Sequence, residues 1–157
     1  MTLDIKMVRE LTKALKVLYV EDDIDLRTET SLFFQHFFND ISTADDGLDA
    51  LKKIANTHFD LIVSDINMPN MDGIEMAKTI LKTNPDQTFI FISAHDDSNH
   101  LMQLMDLGIT KFIAKPFKSA QLLQTLYETA KTLNEKKDIQ EYYKGILDEN
   151  LKNVNNK

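Results

Sequence analysis

Five short apolar runs recur along the chain at near-regular intervals: Lys16–Val20, Asp40–Ala44, Asp60–Ser64, Thr88–Ile92 and Thr110–Ala114. The first, third and fourth are almost unbroken stretches of β-branched, aromatic or other apolar residues, the pattern of strands buried on both faces. Between them the apolar positions take helical spacing. Leu26, Phe33, Phe34 and Phe37 mark one segment, Leu48, Leu51 and Ile54 the next, Ile74, Ala77 and Leu81 a third, and Leu101, Leu104 and Met105 a fourth. Gly47 opens the second of these, Asn84-Pro85 closes the third, and Leu107-Gly108 reads as a glycine C-cap of the fourth. Strict alternation of strand and helix requires right-handed crossovers, and so predicts an α/β fold with a parallel, doubly wound sheet of five strands.

Both ends extend this core. Residues 3–14 read as a helix with Leu3, Met7, Val8 and Leu11 on one side. After Pro116 a helical pattern runs through Leu122, Leu123, Leu126, Ala130 and Leu133. It resumes beyond the charged patch at 135–138 with Ile139, Tyr143, Ile146, Leu147, Leu151 and Val154. The heptad register slips at that patch, and Gly145 is a poor helix residue. The chain therefore divides into a helical extension at 1–14, a central domain at 15–133, and a helical extension or linker at 134–157.

Composition narrows the functions open to it. The 157 residues suffice for one domain. A formal net charge of −7 argues against direct nucleic-acid binding, which needs clustered Lys and Arg. The acidity sits in residues 1–117, with 19 acidic against 11 basic residues, whereas 118–157 are nearly balanced. There is no cysteine, so disulfides, zinc–thiolate sites and Cys nucleophiles are excluded. With no membrane-length apolar run and no signal-peptide pattern, the expected setting is cytoplasmic, away from any membrane.

Candidate chemistry gathers at the strand ends. The first strand is followed by Glu21-Asp22-Asp23 and the third by Asp65. Ligands of an open parallel sheet bind beyond the carboxyl ends of its strands, where the strand order reverses. With strands one and three adjacent there, Asp22, Asp23 and Asp65 are expected to converge. An all-oxygen acidic site of this kind suits Mg2+. The competing use of Glu21, Asp22 and Asp23 is as helix caps and first-turn acids. That use leaves unexplained a third acid after a different strand, and a hydroxyl (Ser93) and an ammonium (Lys115) sent to the same end. A hydroxyl and an ammonium beside an acidic metal site are what a transferring phosphoryl group needs.

These residues resemble the receiver domain of two-component response regulators, of the chemotaxis-regulator type. The likeness is carried by Asp22-Asp23, by Asp65 followed by Met68-Pro69-x-Met71-Asp72-Gly73, by Ser93-Ala94, and by Lys115-Pro116-Phe117, over roughly residues 15–133. The resemblance implies a flavodoxin-like receiver fold with extra terminal helices. It makes Asp65 the phosphoacceptor and a direct Mg2+ ligand, with Asp23 the second direct ligand. Asp22 acts through water and the Asn67 backbone carbonyl is the third protein ligand. Lys115 binds one phosphoryl oxygen, and Ser93 swings to another with help from the Ala94 amide. The phosphoryl donor is a sensor histidine kinase, a phosphotransfer protein or a small acyl phosphate. The chain is then a switch that catalyses only its own phosphorylation and dephosphorylation, not an enzyme acting on an external metabolite.

Several positions stay open between two uses. Pro116 matches the family's cis peptide, against the trans default of an X–Pro bond. Phe112 matches its aromatic switch residue, or is a strand-five packing residue. Asn67 and His95 border the attacking water in the family and carry no carboxylate to hold it, so no unusually rapid autodephosphorylation is expected; His95 reads equally as a solvated loop residue. Gly73 supplies backbone freedom or merely starts a helix. A flavodoxin is disfavoured because Glu21-Asp22-Asp23-Ile24-Asp25 would repel a flavin phosphate, and a haloacid-dehalogenase-type phosphatase because Asn67 stands where its second acid belongs. The remaining competitor is a receiver-like interaction module that works without phosphorylation. The segment after Phe117 is too short for an output domain, so the chain is expected to be a stand-alone receiver or part of a longer regulator. Residues 134–157 either extend the last helix and, with the fourth- and fifth-helix face of the domain, offer a homodimer surface, or form a frayed, partly disordered tail.

Overall fold

The computed structural model describes residues 2–94 and 96–156. Its elements are α1 (Ile5–Thr12), β1 (Lys16–Val20), α2 (Ile24–Phe34), β2 (Asp40–Ala44), α3 (Gly47–Ile54), β3 (Leu61–Asp65), α4 (Gly73–Thr83), β4 (Thr88–Ser93), α5 (Ser98–Asp106), β5 (Phe112–Ala114) and α6 (Ser119–Asn155). Four helices open with the same device. Asp4, Asp23, Asp46 and Asp72 each accept a hydrogen bond from the backbone N–H three residues on, satisfying a donor the helix cannot.

The strands form one parallel sheet in the order β2-β1-β3-β4-β5. The order reverses between β1 and β3, so the crevice opens beyond Val20 and Ser64, which pair as the last matched residues of those strands. Alternation along each strand divides the core in two. Val17, Tyr19, Leu61, Val63, Ile90, Ile92 and Ile113 pack with Phe34, Phe37, Leu122, Leu126 and Ala130 under α2 and α6. Leu18, Val20, Ile62, Phe89 and Phe91 pack with Ala50, Ile74, Ala77, Ile80 and Leu104 under α3, α4 and α5. Burial on both faces explains why β1, β3 and β4 read as continuous apolar runs. The doubly wound receiver architecture expected from the sequence is present.

Both terminal extensions are helical, as the sequence reading expects, and both are tied to the domain. Residues of the N-terminal extension belong to the core: Val8 is fully buried with Phe37 and Leu133, and the Thr12 hydroxyl donates to the Phe37 carbonyl at 2.7 Å. Arg9 reaches the His36 carbonyl at 3.0 Å and Asn39 Oδ1 at 2.9 Å, fastening α1 to the end of α2. At the other end, α6 is one helix of 37 residues that passes through the charged patch and Gly145 without a break. Asn134 Nδ2 donates to the Leu11 carbonyl at 2.9 Å, and Lys137 pairs with Asp60 at 3.0 Å, so the boundary after residue 133 falls inside anchored helix. A slipped heptad disturbs a supercoil; it does not interrupt the backbone ladder of a single helix. Beyond that anchorage Ile139, Tyr142, Tyr143, Leu147, Leu151 and Val154 are exposed. Among the described residues no helix is long and apolar enough to cross a membrane.

Candidate functional site

Asp65 closes β3, and its two carboxylate oxygens are held separately. Oδ1 accepts the Ile66 backbone N–H at 2.8 Å, and Oδ2 accepts from Lys115 Nζ at 3.0 Å. Lys115 follows β5, where its own N–H donates to the Ser93 carbonyl at 2.8 Å, so the ends of β4 and β5 are tied beside β3. The Lys115–Pro116 peptide is cis. Burial opposes charge on the Lys115 ammonium, but the hydrogen bond and charge of Asp65 outweigh it and raise its pKa. Ser93, the last residue of β4, is buried at the same end.

The acids that meet Asp65 are Glu21 and Asp22. Ligand oxygens of Glu21, Asp22 and Asp65 all lie within 4.8 Å of one another. The strand register explains the choice. Val20 pairs with Ser64, so the next residue along β1 stands level with Asp65. Glu21 is 2% exposed, and its Oε2 has no hydrogen-bond partner. Burial, and after it the charge of Asp65, pushes the Glu21 carboxyl up to about 8. Its carbonyl is fixed by Arg27 Nη1 at 2.8 Å, while Arg27 Nη2 pairs with Asp45 at 3.2 Å.

The expected convergence of Asp22, Asp23 and Asp65 is therefore corrected by one residue. Asp23 is exposed, and its Oδ1 accepts the Leu26 N–H at 3.0 Å as the cap of α2. The capping use that the sequence allowed for all three acids holds for Asp23 alone. Its carboxylate serves the first turn of the helix, whereas Glu21 still lies at the end of the sheet.

Three acidic side chains share this end of the sheet with one ammonium, and an unpartnered buried polar oxygen is costly. The donor set is all oxygen, partly exposed through Asp22, and suits a hard divalent ion of the size of Mg2+.

Residues 17–127 match the family described as the response regulator receiver domain. The chain belongs to that family. The receiver is 32% identical to the chemotaxis protein CheY of Listeria monocytogenes over 118 residues, which are 74% of this chain and 99% of CheY. It is 36% identical to the transcriptional regulatory protein FlgR of Helicobacter pylori over 120 residues, 76% of this chain and 30% of FlgR. The chain thus spans under a third of the one relative and nearly all of the other. Among solved structures it superposes on the N-terminal domain of an uncharacterized Wolinella succinogenes protein with a TM-score of 0.72 at 31% identity, covering 78% of this chain and 99% of that one. The receiver domain of the Francisella response regulator 1452 gives 0.66 at 29% identity, covering 75% and 98%.

Asn67 and Ala94 lie on the loops after β3 and β4, and both bond to Asp97, at 2.9 Å from Asn67 Nδ2 and 2.7 Å from the Ala94 N–H. Phe112 opens β5 half-buried, packed against the core under α3, α4 and α5. His95 lies outside the described residues. Gly73 does not adopt a positive φ, so backbone freedom is not its role. A Cβ there would stand 2.8 Å from the Asp65 carbonyl and 2.7 Å from the Phe91 ring, and α4 starts so close to the site because that space is empty.

Sequence reasoning missed Glu21, Arg27 and Asp97. Glu21 could have been found by extending the strand pairing one step past Val20. Arg27 and Asp97 carry no signal apart from the loops they bind.

Proposed function

We propose that the chain is a phospho-accepting receiver in which Asp65 takes a phosphoryl group from the phosphohistidine of a sensor kinase or phosphotransfer protein, or from a small acyl phosphate. The observation that carries this reading is the placement of Asp65. Among the described residues it is the carboxylate at the reversal point of the sheet that is bonded to an ammonium, Lys115, and flanked by two further acids. An Asp65 oxygen attacks phosphorus in line, a new O–P bond forms, and the P–N or P–O bond to the donor breaks. The electron pair leaves with the donor imidazole or carboxylate. Lys115 keeps its proton and shifts from Asp65 to a phosphoryl oxygen, and the Ser93 hydroxyl donates to another. Positioning and charge neutralisation carry such a transfer.

Mg2+ would be held by Asp65, Asp22 and the Asn67 carbonyl, with Glu21 completing the acidic wall, and it would neutralise charge on the transferred group. The protein acts on itself alone, so it is a switch and not a turnover enzyme. The exposed apolar stripe of α6 is flanked by both signs of charge (Glu141, Lys144, Asp148, Lys152), a self-complementary pattern that suits pairing with a second copy. Its check is the solution mass with and without a phosphoryl mimic; a monomer in both states removes the pairing.

The test of the main reading is an intact mass after incubation with acetyl phosphate and Mg2+, beside chelator and Asp65→Asn controls. One added phosphoryl group, absent in both controls, is expected. No addition, together with no binding of beryllofluoride in Mg2+, would leave a phosphorylation-independent interaction module as the better account.

A further inference from the structure

Asp97 occupies the N-cap position of α5 and does not cap it. Asp4, Asp23, Asp46 and Asp72 all bond to their own first turns, but Asp97 makes no such bond. It is 3% exposed, and both its oxygens are engaged elsewhere. Oδ1 accepts from Asn67 Nδ2 at 2.9 Å, and Oδ2 accepts the Ala94 N–H at 2.7 Å. His100 Nδ1 stands 3.6 Å from Oδ1. Its two partners belong to the loops that leave β3 and β4, the strands ending in Asp65 and Ser93. One buried carboxylate therefore stitches together the two loops on the far side of the crevice from Glu21 and Asp22.

This arrangement bears directly on an anion arriving at Asp65. Ala94 follows Ser93, so its N–H is the first free backbone donor past the end of β4, and Asp97 has already taken it. Hydrogen bonds from N–H groups to a carboxylate are among the stronger ones, and each donor serves one anion at a time. Asp97 forgoes the cap bond that its four counterparts make, and its carboxylate is bound to Asn67 and Ala94 instead.

We propose that Asp97 is an internal latch, a positioning residue that holds the Ala94 amide and the Asn67 side chain in the resting chain and must be displaced when a phosphoryl group settles on Asp65. The latch rests on the phospho-acceptor reading of Asp65. Displacement frees Asn67, releases the loop between β4 and α5 from the loop between β3 and α4, and leaves the start of α5 to find its ordinary cap. By linkage, whatever strengthens the latch weakens the anion at Asp65, and the reverse.

The experiment compares the full chain with Asp97→Ala and Asp97→Asn, the second keeping one acceptor in case the first folds poorly. Three quantities are read: Mg2+-dependent affinity for beryllofluoride, affinity for Mg2+ alone, and exchange of the Ala94 amide in the resting protein. Asp97→Ala is expected to bind beryllofluoride about tenfold more tightly, the effect of removing one charge-assisted competitor. Mg2+ affinity should change little, and the Ala94 amide should lose protection. Asp97→Asn should fall between the two. A purely structural role predicts the opposite, a loss of beryllofluoride affinity in step with a loss of thermal stability. Normal binding by the wild-type chain with no gain in either variant would overturn the latch alone. A wild-type chain that binds no beryllofluoride would overturn the phospho-acceptor reading, and the latch with it.

Discussion

Exchanging the sequence-expected acid for the observed one yields a pair of variants with opposite signatures. Glu21 is buried with an unpartnered oxygen and lies within 4.8 Å of two other carboxylates, while Asp23 is exposed and bonded to its own helix. In Glu21→Gln the side chain keeps its shape, and an amide N–H replaces a lone oxygen beside Asp65. Relief of that buried, repelled carboxylate should stabilise the metal-free protein by about 1–3 kcal/mol. For 157 residues, each kcal/mol raises the melting midpoint by about 2–4 °C. The same change removes a charge from the divalent site. Opposite charges a few ångströms apart interact by several kcal/mol at an effective dielectric constant near 20. Lost repulsion among the acids offsets part of this, so Mg2+ should bind roughly 10- to 100-fold more weakly. Asp23→Ala removes only a cap, so stability should fall by about 1 kcal/mol with Mg2+ affinity unchanged. Thermal unfolding in chelator, paired with calorimetric Mg2+ titration, reads both quantities. An Asp23→Ala protein that loses Mg2+ as severely as Glu21→Gln, or a Glu21→Gln protein less stable than wild type without metal, would refute the argument from register.

Three further outcomes are expected. Gly73→Ala places a methyl 2.8 Å from the Asp65 carbonyl, so it should lower both the melting midpoint and the rate of phosphoryl uptake; unchanged uptake would show that the loop yields without moving Asp65. Asp60 is partly desolvated, which opposes its charge, but the Lys16 N–H and Lys137 outweigh this and hold its carboxyl below the usual range. Its stabilisation is therefore complete above the ordinary carboxylate pKa and is lost as pH falls through the depressed one. Asp60→Asn should destabilise by about 1 kcal/mol at pH 7, allowing for solvent screening, and by almost nothing near pH 2, as thermal melts at both pH values would read. Gly145→Ala enters open space in mid-helix and should slow amide exchange in the second half of α6, corresponding to about 0.5–1 kcal/mol; faster exchange would contradict a continuous helix there.

The sheet was legible because its central strands are buried on both faces. Val17 to Val20 and Phe89 to Ile92 must be apolar at every position, and such runs can be read directly. Asp65, Ser93 and Lys115 were legible for the related reason that each ends a strand or closely follows one. The acids after β1 were harder. Three in a row can serve either the sheet or the helix, and only the pairing of Val20 with Ser64 assigns Glu21 to the first and Asp23 to the second. Residues 134–155 were read as extending the last helix but left open against a frayed tail, because the pattern that matters for pairing two helices was applied to one. A backbone ladder tolerates a charged patch, and here Lys137 is held by Asp60, far away in sequence. Asp97 depends wholly on tertiary context, since its bonds go to residues on two loops whose approach no local pattern announces.

The length of α6 has a mechanical consequence. Its 37 residues rise by about 55 Å, starting four positions after Lys115. A tilt of about 5° at Ser119 would carry Asn155 through roughly 5 Å. The helix is thus a lever whose first half is tied to the domain through Leu122, Leu126, Ala130, Asn134 and Lys137 and whose second half stands in solvent. Adjustments too small to repack the core at one end become displacements the size of a side chain at the other.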